Sequence, residues 1–148
     1  MPTDLLQAAE DRAHGRLSAR EALEAAIAAA TPHTFVRRFD EAARASADAC
    51  DRASAPTPLA GLPVSVKDLF DVAGEPTTAA SASMRDAAPA VSDATAVAHL
   101  RAAGAVLVGH TNMSEFAFSG VGINPHHGTP VNPATAALDA APRIPGVP

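Results

Sequence analysis

The sequence predicts an α/β fold on three observations. Residues 1–60 carry helical periodicity, residues 63–67 and 105–108 have the character of strands, and a helix-forming segment lies between those strands. A strand, a crossover helix and a second strand make a βαβ unit, whose strands run parallel and whose crossover is right-handed.

Each element follows from local chemistry. Leu5, Leu6 and Ala9 mark a short first helix. Ser18 with Glu21 three residues on is a capping box for a second, on which Leu23, Ala26, Ile27 and Ala30 share one apolar face. Thr31-Pro32 ends it, because the residue before proline avoids the helical region. A third helix spans about 39–53, with Phe39, Ala43, Ala47 and Cys50 on its inner side. Residues 54–58 form an Ala/Pro linker, and the composition changes at Gly61. Residues 63–67 alternate, are β-branched and begin at Pro63, where a missing N–H is tolerated. Asp93 offers an N-cap to a helix carrying Val97 and Leu100, which Gly104 closes. The run Ala105-Val106-Leu107-Val108 is apolar at every position, as in a central strand covered on both faces. From 119 to 148 the chain has six prolines and no periodicity, which is improbable in a compact domain unless the loop is functional or the chain incomplete.

Composition narrows the function. Of 148 residues 47% are hydrophobic, but 37 are alanine and none is Trp or Tyr, so the core is expected to be thin. A net charge of −5 argues against a nucleic-acid partner. No segment approaches ~18 apolar residues, so no membrane span is expected. The acidic start and single cysteine point to a cytoplasmic setting.

The positive charge is ten arginines and one lysine, Lys67. Where arginine is so favoured, a retained lysine suggests a need for an amine able to lose its proton. Lys67 sits at a strand end, where partial burial would make a neutral amine available as a base; the competing reading is an ion pair with Asp68 or Asp71. The serines at 65, 81, 83, 92, 114 and 119 lack the G-x-S-x-G elbow and fit turns and caps. His126-His127 does not have the spacing of a helical metal site, and Gly120-Val121-Gly122 is not a dinucleotide fingerprint. Neither a metal nor an organic cofactor is expected.

Two blocks carry a family resemblance. GLPVSVKDLFDVAGEPTTAAS and DATAVAHLRAAGAVLVGHTNMSEFAFSGVGINPHHGTPVNP resemble the amidase signature family, colinearly from about residue 35 to 146. The resemblance implies a mixed sheet covered by helices, and hydrolysis of small-molecule carboxamides by a Ser–Ser–Lys triad. Lys67, in V-K-D, matches the catalytic lysine. The residues Thr111-Asn112-Met113-Ser114-Glu115-Phe116 are similar to a segment beside the family's acyl pocket, with Met113 a candidate wall. An amidotransferase branch of the family passes ammonia to a misacylated tRNA with partner subunits, and nothing here argues for such partners.

Two departures qualify what the resemblance implies. Ala80 stands where the family usually has glycine, a modest strain if that position needs positive φ. Arg143-Ile144-Pro145-Gly146 leads into the family's Gly/Ser-rich signature, but Val147-Pro148 follow in place of it. The middle serine, the nucleophile and the oxyanion loop therefore have no counterpart in these residues. The expectation is a helical segment over 1–60 and the start of the amidase α/β core over 61–148, one incomplete domain. It fits a frameshifted or truncated product, and the alternative is an inactive remnant or interaction module.

Overall fold

The computed structural model describes residues 4–54 and 57–132. In chain order the elements are α1 (Leu5–Ala13), α2 (Ala19–Ala29), β1 (Phe35–Arg38), α3 (Asp40–Arg52), β2 (Pro63–Lys67), α4 (Thr95–Ala102) and β3 (Val106–Thr111). One-turn 3₁₀ segments lie at Ala82–Met84 and Glu115–Ala117.

Three strands form one mixed sheet in the order β1-β3-β2, with β2 parallel and β1 antiparallel to β3. The βαβ unit β2-α4-β3 is thus present. β1 falls inside the segment whose periodicity reads as helical throughout: only four residues long, with two arginines among them, it gives no period-2 signal. It exists because β3 offers it an edge. Gly109 of β3 lets β1 approach, since a Cβ there would stand 2.4 Å from the Arg37 carbonyl oxygen. Both pairings carry a register shift, between Phe35 and Arg37 and between Val64 and Ser65.

The helix signals act as read, with two exceptions. Ser18 and Glu21 close a reciprocal capping box on α2. Asp93 does not cap α4: Ala94 holds the N-cap position, and the Asp93 carboxylate instead accepts from the Ala73 N–H at 2.7 Å and pairs with Arg101. Phe39 does not share the inner face of α3 with Ala43 and Ala47, because it stands at the N-cap, where the backbone has not yet entered the helix. Helix α1 buries none of its residues, and Leu5 and Leu6 are exposed.

Successive residues of β3 face opposite ways, so its apolar run feeds two cores. Val106 and Val108 meet Ala19 and Leu23 of α2 and Ala43 and Ala47 of α3. Leu107 meets Phe39, Val66, Val72 and Val97 on the other side. The alanines make the first core thin but let α2 and α3 lie close to the sheet. Residues 119–132 contain no helix or strand; the lead-in at 143–148 lies outside the described residues.

Candidate active site

The parallel pair β2 and β3 ends at Lys67 and Thr111, which are register partners. Ligand sites of parallel sheets lie beyond such ends. The Lys67 side chain is exposed rather than partly buried, because β2 turns its Val66 inward and Lys67 falls on the opposite face. The ion-pair reading fails too. No carboxylate pairs with the ammonium among the described residues, since both neighbouring aspartates are engaged elsewhere. Asp71 accepts from Thr77 Oγ1 at 2.7 Å. Asp68 is fully buried and accepts from the Thr78 N–H at 3.1 Å, the Thr78 hydroxyl at 2.5 Å and the Ala80 N–H at 2.8 Å.

Asp68 thereby fastens a strained turn to the end of β2. Ala79 and Ala80 have φ of 51° and 50°, a left-handed pair that alanine adopts at a cost of roughly 1–2 kcal/mol each. The position where glycine is expected is the one that needs positive φ. A second left-handed pair, Phe116 and Ala117 (φ 52° and 56°), abuts the first, with the Phe116 N–H donating to the Ala79 carbonyl at 3.0 Å. Strained backbone held by a buried hydrogen-bond network is a mark of functional sites.

Asn124, 2% exposed, ties the pieces together. Its amide donates to the carbonyls of Ala80 and Met113, both at 2.8 Å, and its oxygen accepts from the N–H groups of His126 and His127. All its hydrogen-bonding positions are used. Met113 is itself buried, so its side chain is packed rather than displayed. Ser81, 1% exposed, donates to Glu115 at 2.5 Å and accepts from the Ser83 N–H. It is a structural hydroxyl, not a free nucleophile.

His110 completes the floor under Asp68. Its Nε2 lies 3.2 Å from the Phe70 carbonyl oxygen, so that nitrogen carries the proton. Nδ1 is 3.3 Å from Asp68 Oδ1, within ion-pair reach yet off the direction a hydrogen bond requires; the contact is electrostatic. The edge of the Phe39 ring closes the other side, with centroids 5.1 Å apart. Sequence reasoning named Lys67 and the turn but not Asn124 or the Asp68–His110 contact. Asp68 carried a signal only as a possible partner for Lys67; nothing local marks Asn124.

A further cavity of about 460 Å³ lies elsewhere, between the C-terminal end of α2 and the sheet, among Ala26, Ala30, Phe35, Pro63, Ser65 and Val108. It has no charged group in its lining, so it is not the chemical centre.

The parallel strand ends on a lysine, and the next residue, Asp68, clamps a strained turn. The amidase family model matches residues 18–141, and the chain belongs to that family. It is 47% identical over 133 residues to a 1-carboxybiuret hydrolase subunit (AtzE) of Pseudomonas sp. (strain ADP), covering 84% of this chain and 29% of that protein. It is 48% identical over 102 residues to a glutamyl-tRNA(Gln) amidotransferase subunit of Roseiflexus sp. (strain RS-1), covering 66% of this chain and 21% of that one. A solved structure described as a vestigial protein complex revealing the origins of an s-triazine catabolic enzyme superposes with a TM-score of 0.82 at 44% identity, over 88% of this chain and 31% of the other. The chain thus spans less than a third of the length of each of these relatives. No helix among the described residues is long and apolar enough to cross a membrane.

Proposed function

We propose that this chain supplies the lysine of a Ser–Ser–Lys centre that hydrolyses a small-molecule carboxamide, with both serines outside these 148 residues. The observation that carries the reading is Lys67 itself: the sole lysine, at the end of a parallel strand, paired with neither flanking aspartate. Asp68 clamps the strained turn beside it, and the family's catalytic lysine occupies the matching position of the V-K-D motif.

In the mechanism, the neutral amine of Lys67 takes a proton from the middle serine as that serine takes one from the nucleophile, whose oxygen attacks the amide carbonyl. The tetrahedral intermediate collapses as the amine or ammonia leaves with a proton returned through the relay. Water then releases the carboxylate by the same route. No metal or organic cofactor enters any step. Elements carrying the serines would cover the exposed Lys67 and supply the desolvation that favours its neutral form. On this reading residues 61–148 begin the α/β core, and the β1–β3 pairing supports treating 1–60 as part of the same incomplete unit. The setting is cytoplasmic and the substrate a small amide.

The test is hydrolysis of carboxamides by a protein joining this chain to family-like C-terminal sequence. Lys67→Arg should lower kcat by about 10²–10⁴-fold, the usual worth of a general base, because arginine does not deprotonate at usable pH. Substantial turnover by that variant would remove the lysine from the mechanism. The 148-residue chain alone should neither hydrolyse amides nor label with a serine-directed fluorophosphonate. A non-catalytic interaction role is the second reading, favoured by the exposed apolar loop Phe116, Phe118 and Val121; it prevails if the completed protein binds partners but leaves amides intact.

A further inference from the structure

We propose that the cavity between β1 and the clamped turns binds a small oxyanion, a carboxylate or phosphate group. The cavity measures about 420 Å³, within the range of small-ligand sites. Arg37, Arg85, His126 and His127 line it together with Thr78 and Ser81, whose hydroxyl protons are already given to Asp68 and Glu115, and no carboxylate is among the lining residues. Four basic groups thus converge from three separate stretches of a chain whose net charge is −5.

Arg85 singles this cavity out. Of the nine arginines in the described residues, Arg12, Arg16, Arg20, Arg37, Arg38, Arg44 and Arg101 each have a carboxylate within ion-pair distance. Arg52 acts on Asp48 through space. The Arg85 guanidinium, like that of Arg52, has no ion pair or hydrogen bond among the described residues, but of the two only Arg85 lines this cavity, where its planar fork suits two oxygens of one anion. Arg37 is barely committed, at 3.8 Å from Glu75. The His127 ring makes no hydrogen bond among the described residues, while His126 Nε2 rests 3.4 Å from Glu115, a carboxylate already accepting from Ser81.

The backbone that presents these groups is fixed. Asn124 accepts from both histidine N–H groups, and Ser81 caps the one-turn helix that ends at Arg85. The bulge in β1 falls between Phe35 and Arg37, at the cavity wall formed by Val36 and Arg37. The site is therefore built before any anion arrives, which lowers the ordering cost of binding.

The experiment titrates the 148-residue protein at low ionic strength with inorganic phosphate and, separately, with malonate. The histidine ring resonances of the wild type, Arg85→Gln and Arg52→Gln are followed by NMR. Saturable shifts of the His126 and His127 rings are expected, with the dissociation constant raised tenfold or more by Arg85→Gln and unchanged by Arg52→Gln; a charge-assisted hydrogen bond has that worth. Saturation by malonate alone makes the ligand a carboxylate, and by phosphate alone a phosphate; either supports the site. No saturation with either anion, or equal affinity in Arg85→Gln, overturns it. Arg85 is exposed, so its replacement leaves the fold intact.

Discussion

Asp68 and Asp71 flank the same short motif and look interchangeable in sequence, yet their surroundings set their energies apart. Asp68 is buried and accepts three hydrogen bonds, whereas Asp71 is exposed and accepts one. Replacing Asp68 by Asn puts an amide NH₂ against buried donors that have no other acceptor. Asp68→Asn should therefore destabilise the chain by about 3 kcal/mol. Asp71→Asn should cost no more than about 0.5 kcal/mol, the usual size of a surface change. Urea denaturation of the two variants decides it, and equal midpoints would show that the clamp carries no energy. Two facts at this scale were legible without coordinates: the lone lysine, from a count, and the strain at Ala80, from a departure from the family pattern. The clamp itself was not, because a buried carboxylate and a solvated one share a letter.

At the scale of elements, the packing of α2 on α3 rests on a small apolar seam bordered by charge. Glu24 bridges to Arg44 with oxygens at 2.6 and 2.9 Å from the guanidinium, and Arg20 reaches both Glu24 and Asp48. The Arg44 hydrogen bonds, then Arg20, hold the Glu24 carboxyl down at about 2 against an ordinary 4.5. Arg20 lowers Asp48 in the same way. For Asp51, burial pushes the carboxyl up, but the N–H groups of Ala19 and Arg20 together with Arg12 outweigh it and the net shift is downward. A carboxyl depressed by folding stabilises the folded state fully above its unfolded value and loses that contribution as pH falls through its folded value. The thermal midpoint should accordingly drop as pH is lowered from about 4.5 to 2. Glu24→Gln should start lower at pH 7 and fall less over that window. An unchanged slope in the variant would mean that other carboxylates govern the acid limb. The helices that carry this seam were legible from their caps and periodicity, while β1 was not: a four-residue strand with two arginines is made by the neighbour it pairs with.

For the whole molecule, what matters is which surfaces the described fold leaves open. β3 is saturated by a neighbour on each side, whereas β2 pairs only with β3, and its outer edge has no partner strand among the described residues. Beyond the strand ends, Leu69, Phe70, Phe116, Phe118, Val121 and Ile123 are exposed, Phe118 almost fully at 95%. An unpaired edge beside exposed apolar groups is a template for association. The alanine-heavy core adds to the tendency, since transient opening costs little when each buried side chain contributes little apolar area. The chain alone should therefore self-associate in a concentration-dependent way, visible by sedimentation velocity as a rising weight-average mass across the micromolar range. The apolar loop and the strand edge make separable contributions. Phe118→Ser with Val121→Ser removes exposed apolar groups that support no core, so it should reduce association without lowering the thermal midpoint. A charged substitution on the open strand, Ser65→Lys, should reduce it further by opposing edge pairing. If neither change alters the mass distribution, association does not arise at this surface; if the wild-type chain sediments as a monomer with a sharp thermal transition, the fold is self-sufficient and the non-catalytic reading gains over the catalytic one.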